Sequence, residues 1–456
     1  MGARSVSKAK TPTQEWLEAF RGKDERRQAR ARQALRQMGS EAVPFLLEAL
    51  NDRSYQVRME ATHLLGELQD PRAVPALLMA LNDPSVNVQR AAVAALGALG
   101  EKAVPALVEA LQAKENRLRV RAAEALAQIR HPSAVEALID ALQDPVPEVQ
   151  KMAVMALGEI GDDRATDSLI PLLQTSNVEL SRYVAEALGK IGSRKAVDYL
   201  VEALCSQSLD LRSAASEALV RIGPAAVPAL IQILQHENPQ ARRWAAEALG
   251  RLKDRRALEP LIALLRHPEE ERVKEYVALA LGTLGYEEAV PALLECLKGK
   301  GSQLRASAVS ALGMIQSEQS LQALVQALED EDWLVRLNAV QALGRLRAFH
   351  HLPALLARLR DPEWSVRYHA AQVLGEWRRQ EAVIPLLLAL DDPRAAVRRS
   401  VVEALGRIGD PRALPMLERL RRDENEEVKE AVREAIERIR QHSPHPPLKT
   451  PSRSKK

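Results

Sequence analysis

The chain has 456 residues, with 64 lysines and arginines against 61 aspartates and glutamates, for a net charge of +3. That balance argues against a strongly basic nucleic-acid binder, and 46% hydrophobic content argues against wholesale disorder. Two cysteines, Cys205 and Cys296, exclude a disulfide framework and a multi-cysteine zinc site.

Residues 1–10 are polar and basic, without the apolar centre of a signal peptide, and are expected to be disordered. No apolar run of the roughly 18–20 residues needed to span a bilayer is read, so no transmembrane segment and a reducing, cytoplasmic setting are expected. Thr11-Pro12-Thr13-Gln14 reads as a helix start with proline in the first turn. Trp16, Leu17 and Phe20 form the apolar face of an irregular first helix, which makes residues 11–39 an N-terminal cap repeat.

From there the chain is periodic. The pattern Ala-Leu-Gly-x-Ile-Gly recurs, and its first glycine slot falls at residues 36, 66, 97, 127, 158, 189, 220, 250, 282, 313, 344, 375, 406 and 437. The spacings are 30 to 32 residues, which marks a repeat array. Ten of the 21 glycines hold this slot, and seven more sit three residues later, where a positive φ would end a helix. A glycine inside a helix costs about 1 kcal/mol against alanine. Its recurrence predicts close approach of the next repeat's helix.

Each unit contains two helices. In residues 70–100, Asp70 caps and Pro71 opens helix A, whose face is Val74, Leu77, Leu78 and Leu81. Asn82-Asp83-Pro84 breaks the chain. Helix B then runs through Val88, Ala92, Ala95, Leu96 and Leu99. No stretch alternates with the period of a strand. The fold class is therefore all-α, an α-solenoid of about fourteen two-helix repeats and 28 short helices spanning residues 11–440.

These units resemble the short HEAT-like repeats named after phycobiliprotein lyases. The residues that carry the resemblance are Asp70-Pro71-Arg72-Ala73-Val74-Pro75-Ala76-Leu77, and Val397-Arg398 with Glu403-Ala404-Leu405-Gly406-Arg407-Ile408-Gly409. The resemblance implies a superhelix in which helix B lines the concave face and helix A the convex face. It says little about function.

The repeat register lets equivalent positions be compared. Eight residues before the slot stands a basic column, including Arg58, Arg119, Arg305, Arg336, Arg367 and Arg398. Fourteen before it stands Asp52, Asp83, Asp144, Asp330, Asp361, Asp392 and Asp423. An Asp–Arg ladder tying the inter-helix turn to helix B of its own or a neighbouring repeat accounts for both columns, ahead of an anion-binding stripe. Three before the slot stand Glu124, Glu186, Glu217, Glu247, Glu403 and Glu434. Arg182, Arg243 and Arg399 lie four residues ahead of three of them, within helical pairing distance. The row reads as a solvated face or as an acidic stripe for a basic partner segment.

Six before the slot the column varies, holding Met152, Tyr183, Trp244, Tyr276 and His369. Tyrosine and tryptophan are the residues of interface anchors, so partial burial or partner contact is expected here. Trp333 and Trp364 share one slot with Tyr55, in the turn before helix B. Together with Tyr368, Trp377, His350, His351 and His369 they outline a candidate ligand or peptide patch.

Catalytic readings find little support. The single His-Glu dipeptide, His236-Glu237, falls in an inter-helix turn, unlike the helical His-Glu pairs of a di-iron hydroxylase. Lys298-Gly299-Lys300-Gly301-Ser302 lacks the strand and spacing of a phosphate loop. The histidines show no metal-ligand spacing, and no cofactor is expected. The two cysteines read as small apolar residues of A helices.

Residues 441–456 are basic and proline-rich, and are expected to be disordered. Residues 1–39 carry +6 and residues 440–456 carry +5, which leaves residues 40–439 at −8. The leading expectation is a monomeric, non-enzymatic scaffold that binds another protein on its helix B surface. The alternatives are a bilin lyase or chaperone-like factor acting on a phycobiliprotein-like partner, and nucleic-acid association through the basic termini.

Overall fold

A computed structural model describes residues 12–22, 24–267 and 270–442. The expected disorder of residues 1–10 and of most of 441–456 lies outside the described residues. Gln441 and His442 belong to the last helix, which runs Glu426–His442. The chain forms two compact units, Met1–Ala229 and Leu230–Lys456. Twenty-eight α-helices and no strand occur among the described residues, in the order A, B, A, B.

Each helix A after the first opens with a single 3-10 turn. In the repeat read above, Pro71–Ala73 leads into Val74–Ala80. The Asp70 carboxylate accepts the Arg72 backbone N–H at 2.9 Å, as a cap should. The Arg72 side chain also holds Asp70 and pushes its carboxyl down to about 2. Helix B is typically fourteen residues, as in Val86–Leu99, or about 21 Å at 1.5 Å per residue. Val74, Leu77 and Leu81 of helix A are buried against Val88, Ala92, Ala95, Leu96 and Leu99 of helix B. At the N-terminus the ring of Trp16 meets Phe45 edge-on at 5.7 Å, and Phe20 is buried.

Successive B helices within each unit pack backbone to backbone at the glycine slot. A Cβ placed on Gly189 would lie 2.6 Å from the Ala218 Cα, and one on Gly282 would lie 2.5 Å from the Ala311 Cα. No side chain fits there, which explains the recurrent glycine. Three residues later every copy from Gly39 to Gly409 has positive φ. Seven are glycine, and six are Gln69, Arg130, Lys253, Gln316, Arg347 and Arg378, at φ between 49° and 58°. Helix B thus ends at a fixed geometric stop even where the residue disfavours it.

That stop also divides the two most apolar stretches of the chain. Two stretches, Val86–Ala110 and Leu209–Ile233, are long and apolar enough by composition to cross a bilayer. Each is a B helix followed by an A helix, broken at Gly100 (φ 62°) or Gly223 (φ 83°), and about half of each is buried.

The aspartate and arginine columns meet as a ladder between repeats. Arg336 donates from Nε and Nη2 to both oxygens of Asp361 in the next repeat, each at 2.8 Å. Its Nη1 donates to the Asp330 and Glu331 carbonyls of its own turn. Asp361 also accepts the Glu363 backbone N–H. The same bidentate geometry joins Arg58 to Asp83, Arg119 to Asp144, Arg305 to Asp330, Arg367 to Asp392 and Arg398 to Asp423. Both alternatives hold at once, because one guanidinium ties its own turn to the neighbour's. Asp52 is held by Arg21 from the first helix.

Four outcomes test this architecture. Arg336→Ala removes both guanidinium hydrogen bonds to the fully buried Asp361 carboxylate, leaving Arg358 at 3.6 Å, and should cost about 3–5 kcal/mol in urea unfolding. Arg72→Ala, at an exposed pair, should cost under about 1 kcal/mol. Hydrogen bonds from Arg119 and Arg398 hold the Asp144 and Asp423 carboxyls below their ordinary 3.8. Their contribution is complete above that value and is lost as pH falls through the lowered one, so the thermal midpoint should drop steeply below about pH 4. Lys253→Gly, which removes a left-handed side chain, should raise the midpoint by up to about 1 kcal/mol of stability; a fall would contradict the stop.

Candidate partner-binding surface

Helix B buries its alanines and leucines and leaves two rows in reach of solvent. Met152, Tyr183, Trp244, Tyr276 and His369, six before the slot, are all half-buried. The side chains are not alike in their surroundings. In the first unit the Arg182 guanidinium lies 4.0 Å from the Tyr183 ring centroid, with Lys151 Nζ at 5.8 Å. In the second, Arg243 lies 3.8 Å from the centroid of Tyr276 and 5.5 Å from that of Trp244. Cations over aromatic faces contribute roughly 0.5–1 kcal/mol each at such sites. They also hold the rings in place. The buried Trp244 Nε1 has no hydrogen-bond partner. His369 is turned back on its own helix, its Nδ1 2.8 Å from the Ser365 carbonyl oxygen.

The glutamate row is mostly neutralised locally. Glu186 pairs with Arg182, Glu217 with Arg221, Glu124 with Arg121 and Glu403 with Arg399. The expected pairing of Arg243 with Glu247 does not form, because Arg243 is drawn onto Tyr276 instead. Glu247 lies one turn after Trp244 on the same helix, and among the described residues neither the carboxylate nor the buried indole N–H has a hydrogen-bond partner. Nearby Glu275 is pushed above the ordinary carboxylate value by burial and by Glu271. A hollow of 500 Å³ between helices Val178–Ile191 and Leu209–Ile222 contains Glu186 and Glu217, but Arg182, Lys190 and Arg221 balance Glu186, Asp210 and Glu217 along it.

The aromatic patch of the second unit comes apart. Trp333 and Trp364 are 45% and 40% exposed and are the first residues of their B helices, not turn residues. Trp377 is 7% exposed and meets Phe349 edge-on at 5.2 Å, so it is a core residue and corrects the expectation of a surface role. Tyr368 is half-buried, its hydroxyl accepting from Gln372 Nε2 at 3.0 Å. The register of Trp333 also holds exposed Val86, Val178 and Leu209, which the search for aromatics alone passed over.

The array matches the model of HEAT repeats over residues 13–230, 227–350 and 352–437 in overlapping stretches. The chain belongs to the HEAT-repeat family. This HEAT-repeat chain is 41% identical over 83 residues to the phycocyanobilin lyase subunit alpha of Synechococcus elongatus, which covers 17% of this chain and 30% of that protein. Among solved structures it is similar to Kap121p bound to Pho4p, with a TM-score of 0.65, 13% identity and coverage of 94% of this chain and 57% of that one. Kap121p bound to Ste12p gives 0.64 and 14%, over 94% and 56%. Importin beta gives 0.56 and 16%, over 92% and 70%. The chain thus spans about a third of the curated relative and little more than half of Kap121p.

Neither thiol is poised as a nucleophile. Burial pushes the Cys296 thiol up to about 11 and raises that of Cys205 as well. At pH 8 Ellman's reagent should label Cys296 at least tenfold more slowly in the folded protein than in urea. Equal rates would show that Cys296 is not held as described.

Proposed function

We propose that this chain is a protein-binding scaffold that takes a partner segment on its helix B face. The observation that carries the reading is the Trp244–Tyr276–Glu247 cluster of the second unit. Its two rings are held by one guanidinium, and its indole donor and carboxylate lack internal partners. Tryptophan and tyrosine held beside an arginine are the residue types enriched at binding hot spots. Tyr183 offers a second such ring in the first unit. Two of the similar folds are described bound to other proteins, Ste12p and Pho4p. Glu186, Glu217, Met152, His369, Trp333, Trp364 and Tyr368 are proposed as supporting contacts.

Trp244→Ala and Tyr276→Ala should each weaken capture of a specific protein from the native host about tenfold, with the thermal midpoint changed little. Undiminished capture would assign binding to another face. A bilin lyase or chaperone-like role is favoured by the 83-residue likeness, which is under three repeats long and so reflects repeat sequence. Absorbance after incubation with a bilin would reveal it, and a colourless protein would count against it.

A further inference from the structure

The two tryptophans that open helices Trp333–Arg345 and Trp364–Trp377 carry a second surface, at the end where helix B begins. They fill one position in successive repeats and are 45% and 40% exposed. Tyr55, Val86 and Leu209 fill it elsewhere, but so do Asn116, Pro147 and Glu426, so helix B starts there without needing an aromatic residue. The two rings are also uncommitted. Arg182 covers Tyr183 and Arg243 covers Tyr276, but no cation lies over Trp333 or Trp364 among the described residues. Neither of their indole N–H groups has a hydrogen-bond partner among those residues.

The charge beside the rings is negative. Asp332 and Glu363 directly precede them, and neither makes an ion pair among the described residues. Asp332 accepts the Leu334 backbone N–H at 2.8 Å, the local use of an acid at a helix start. Glu363 makes no such cap bond and accepts from Ser365 Oγ at 3.2 Å instead. Glu331 adds a side chain that is 85% exposed and reaches Arg305 at 3.3 Å. The arginines of the two helices, Arg336 and Arg367, are turned inward onto Asp361 and Asp392 of the ladder. The pair is bounded on both sides. Gly301-Ser302 take these positions in the repeat before, and Arg394-Ala395 in the repeat after.

Two open rings with carboxylates beside them fit a cationic ligand that presents an apolar face once per repeat. Neighbouring helices lie roughly 8–10 Å apart. A polyproline II helix, with three residues per turn, brings the same face round about every 9 Å. An extended strand does so at roughly 6.6 Å, which misses the second ring. The polyproline II backbone has no internal hydrogen bonds, so its carbonyls can accept from an indole N–H. Single-stranded nucleic acid also stacks on aromatic rings, but its phosphates would face the carboxylates. We propose that Trp333 and Trp364 dock a proline-rich segment of a partner protein, with prolines three residues apart on the two rings and lysine or arginine over Asp332 and Glu363. This rests on the reading of the chain as a protein-binding scaffold, and gives these two residues a ligand class separate from the Trp244–Tyr276 cluster.

The test uses the full chain and labelled probes of equal length in fluorescence anisotropy. They are repeats of Pro-Pro-Lys, Ala-Ala-Lys and Pro-Pro-Glu, and an oligothymidylate. The Pro-Pro-Lys peptide should bind, weaken with added salt, and bind at least tenfold more tightly than the other three. It should lose at least tenfold on Trp333→Ala/Trp364→Ala and severalfold on Asp332→Asn/Glu363→Gln, where asparagine keeps the cap. Trp244→Ala should bind it as the parent does. No binding of the Pro-Pro-Lys peptide, equal binding of Ala-Ala-Lys, undiminished binding to the double tryptophan variant, or tighter binding of the oligothymidylate would overturn the proposal. So would loss on Trp244→Ala, which would move the segment to the helix B cluster. Capture of a host protein through Trp244 and Tyr276 is read separately and does not depend on these outcomes.

Discussion

The approach of one B helix to the next, closer than any side chain allows, is the contact on which each unit depends. At eight of the ten slot glycines the neighbour's alanine Cα lies 2.5–3.0 Å from where a Cβ would sit, which fixes the registration of the two helices. Everything else in the repeat follows from it. The alanines of helix B are small because the layers are close. The left-handed residue three positions later turns the chain back to begin helix A at the same height in every copy. The leucines of helix A then cover an interface whose position the backbone has already set.

The ladder acts on the opposite end of helix B and has a different character. A guanidinium that donates to its own turn's carbonyls and to the next repeat's carboxylate links three chain segments with one side chain. Burying such a charge is unfavourable unless its donors are matched, and in the six pairs all three guanidinium nitrogens donate. Short-range steric fit at one end and matched charge at the other leave the middle of the exposed helix B face free of structural duty. That is where the half-buried aromatics stand, and why their identity varies from copy to copy. A column under packing constraint would have stayed alanine.

Much of this was legible in the sequence because a repeat supplies its own comparison. The period, the helix pair, the glycine approach, the cap at Asp70 and the ladder all follow from residues recurring in register. What was not legible lies where one residue chooses between partners at similar distance. Arg243 stands four residues before Glu247, yet the Tyr276 ring from the next repeat takes it. Trp377 looks like its neighbours in sequence but sits just before the left-handed stop, facing the Phe349 ring of the preceding inter-repeat segment.

The account's central claim is that the repeats are held by nearest-neighbour contact at the glycine slot. Hydrogen exchange measured by mass spectrometry on Gly375→Leu tests it most directly, since a Cβ there would lie 2.7 Å from the Ala404 Cα. The account predicts lost protection centred on helices Trp364–Trp377 and Ala395–Ile408, fading within a repeat or two on either side, with helices Tyr55–Leu68 and Val86–Leu99 unchanged. Protection lost evenly along the chain, or not lost at all, would contradict it.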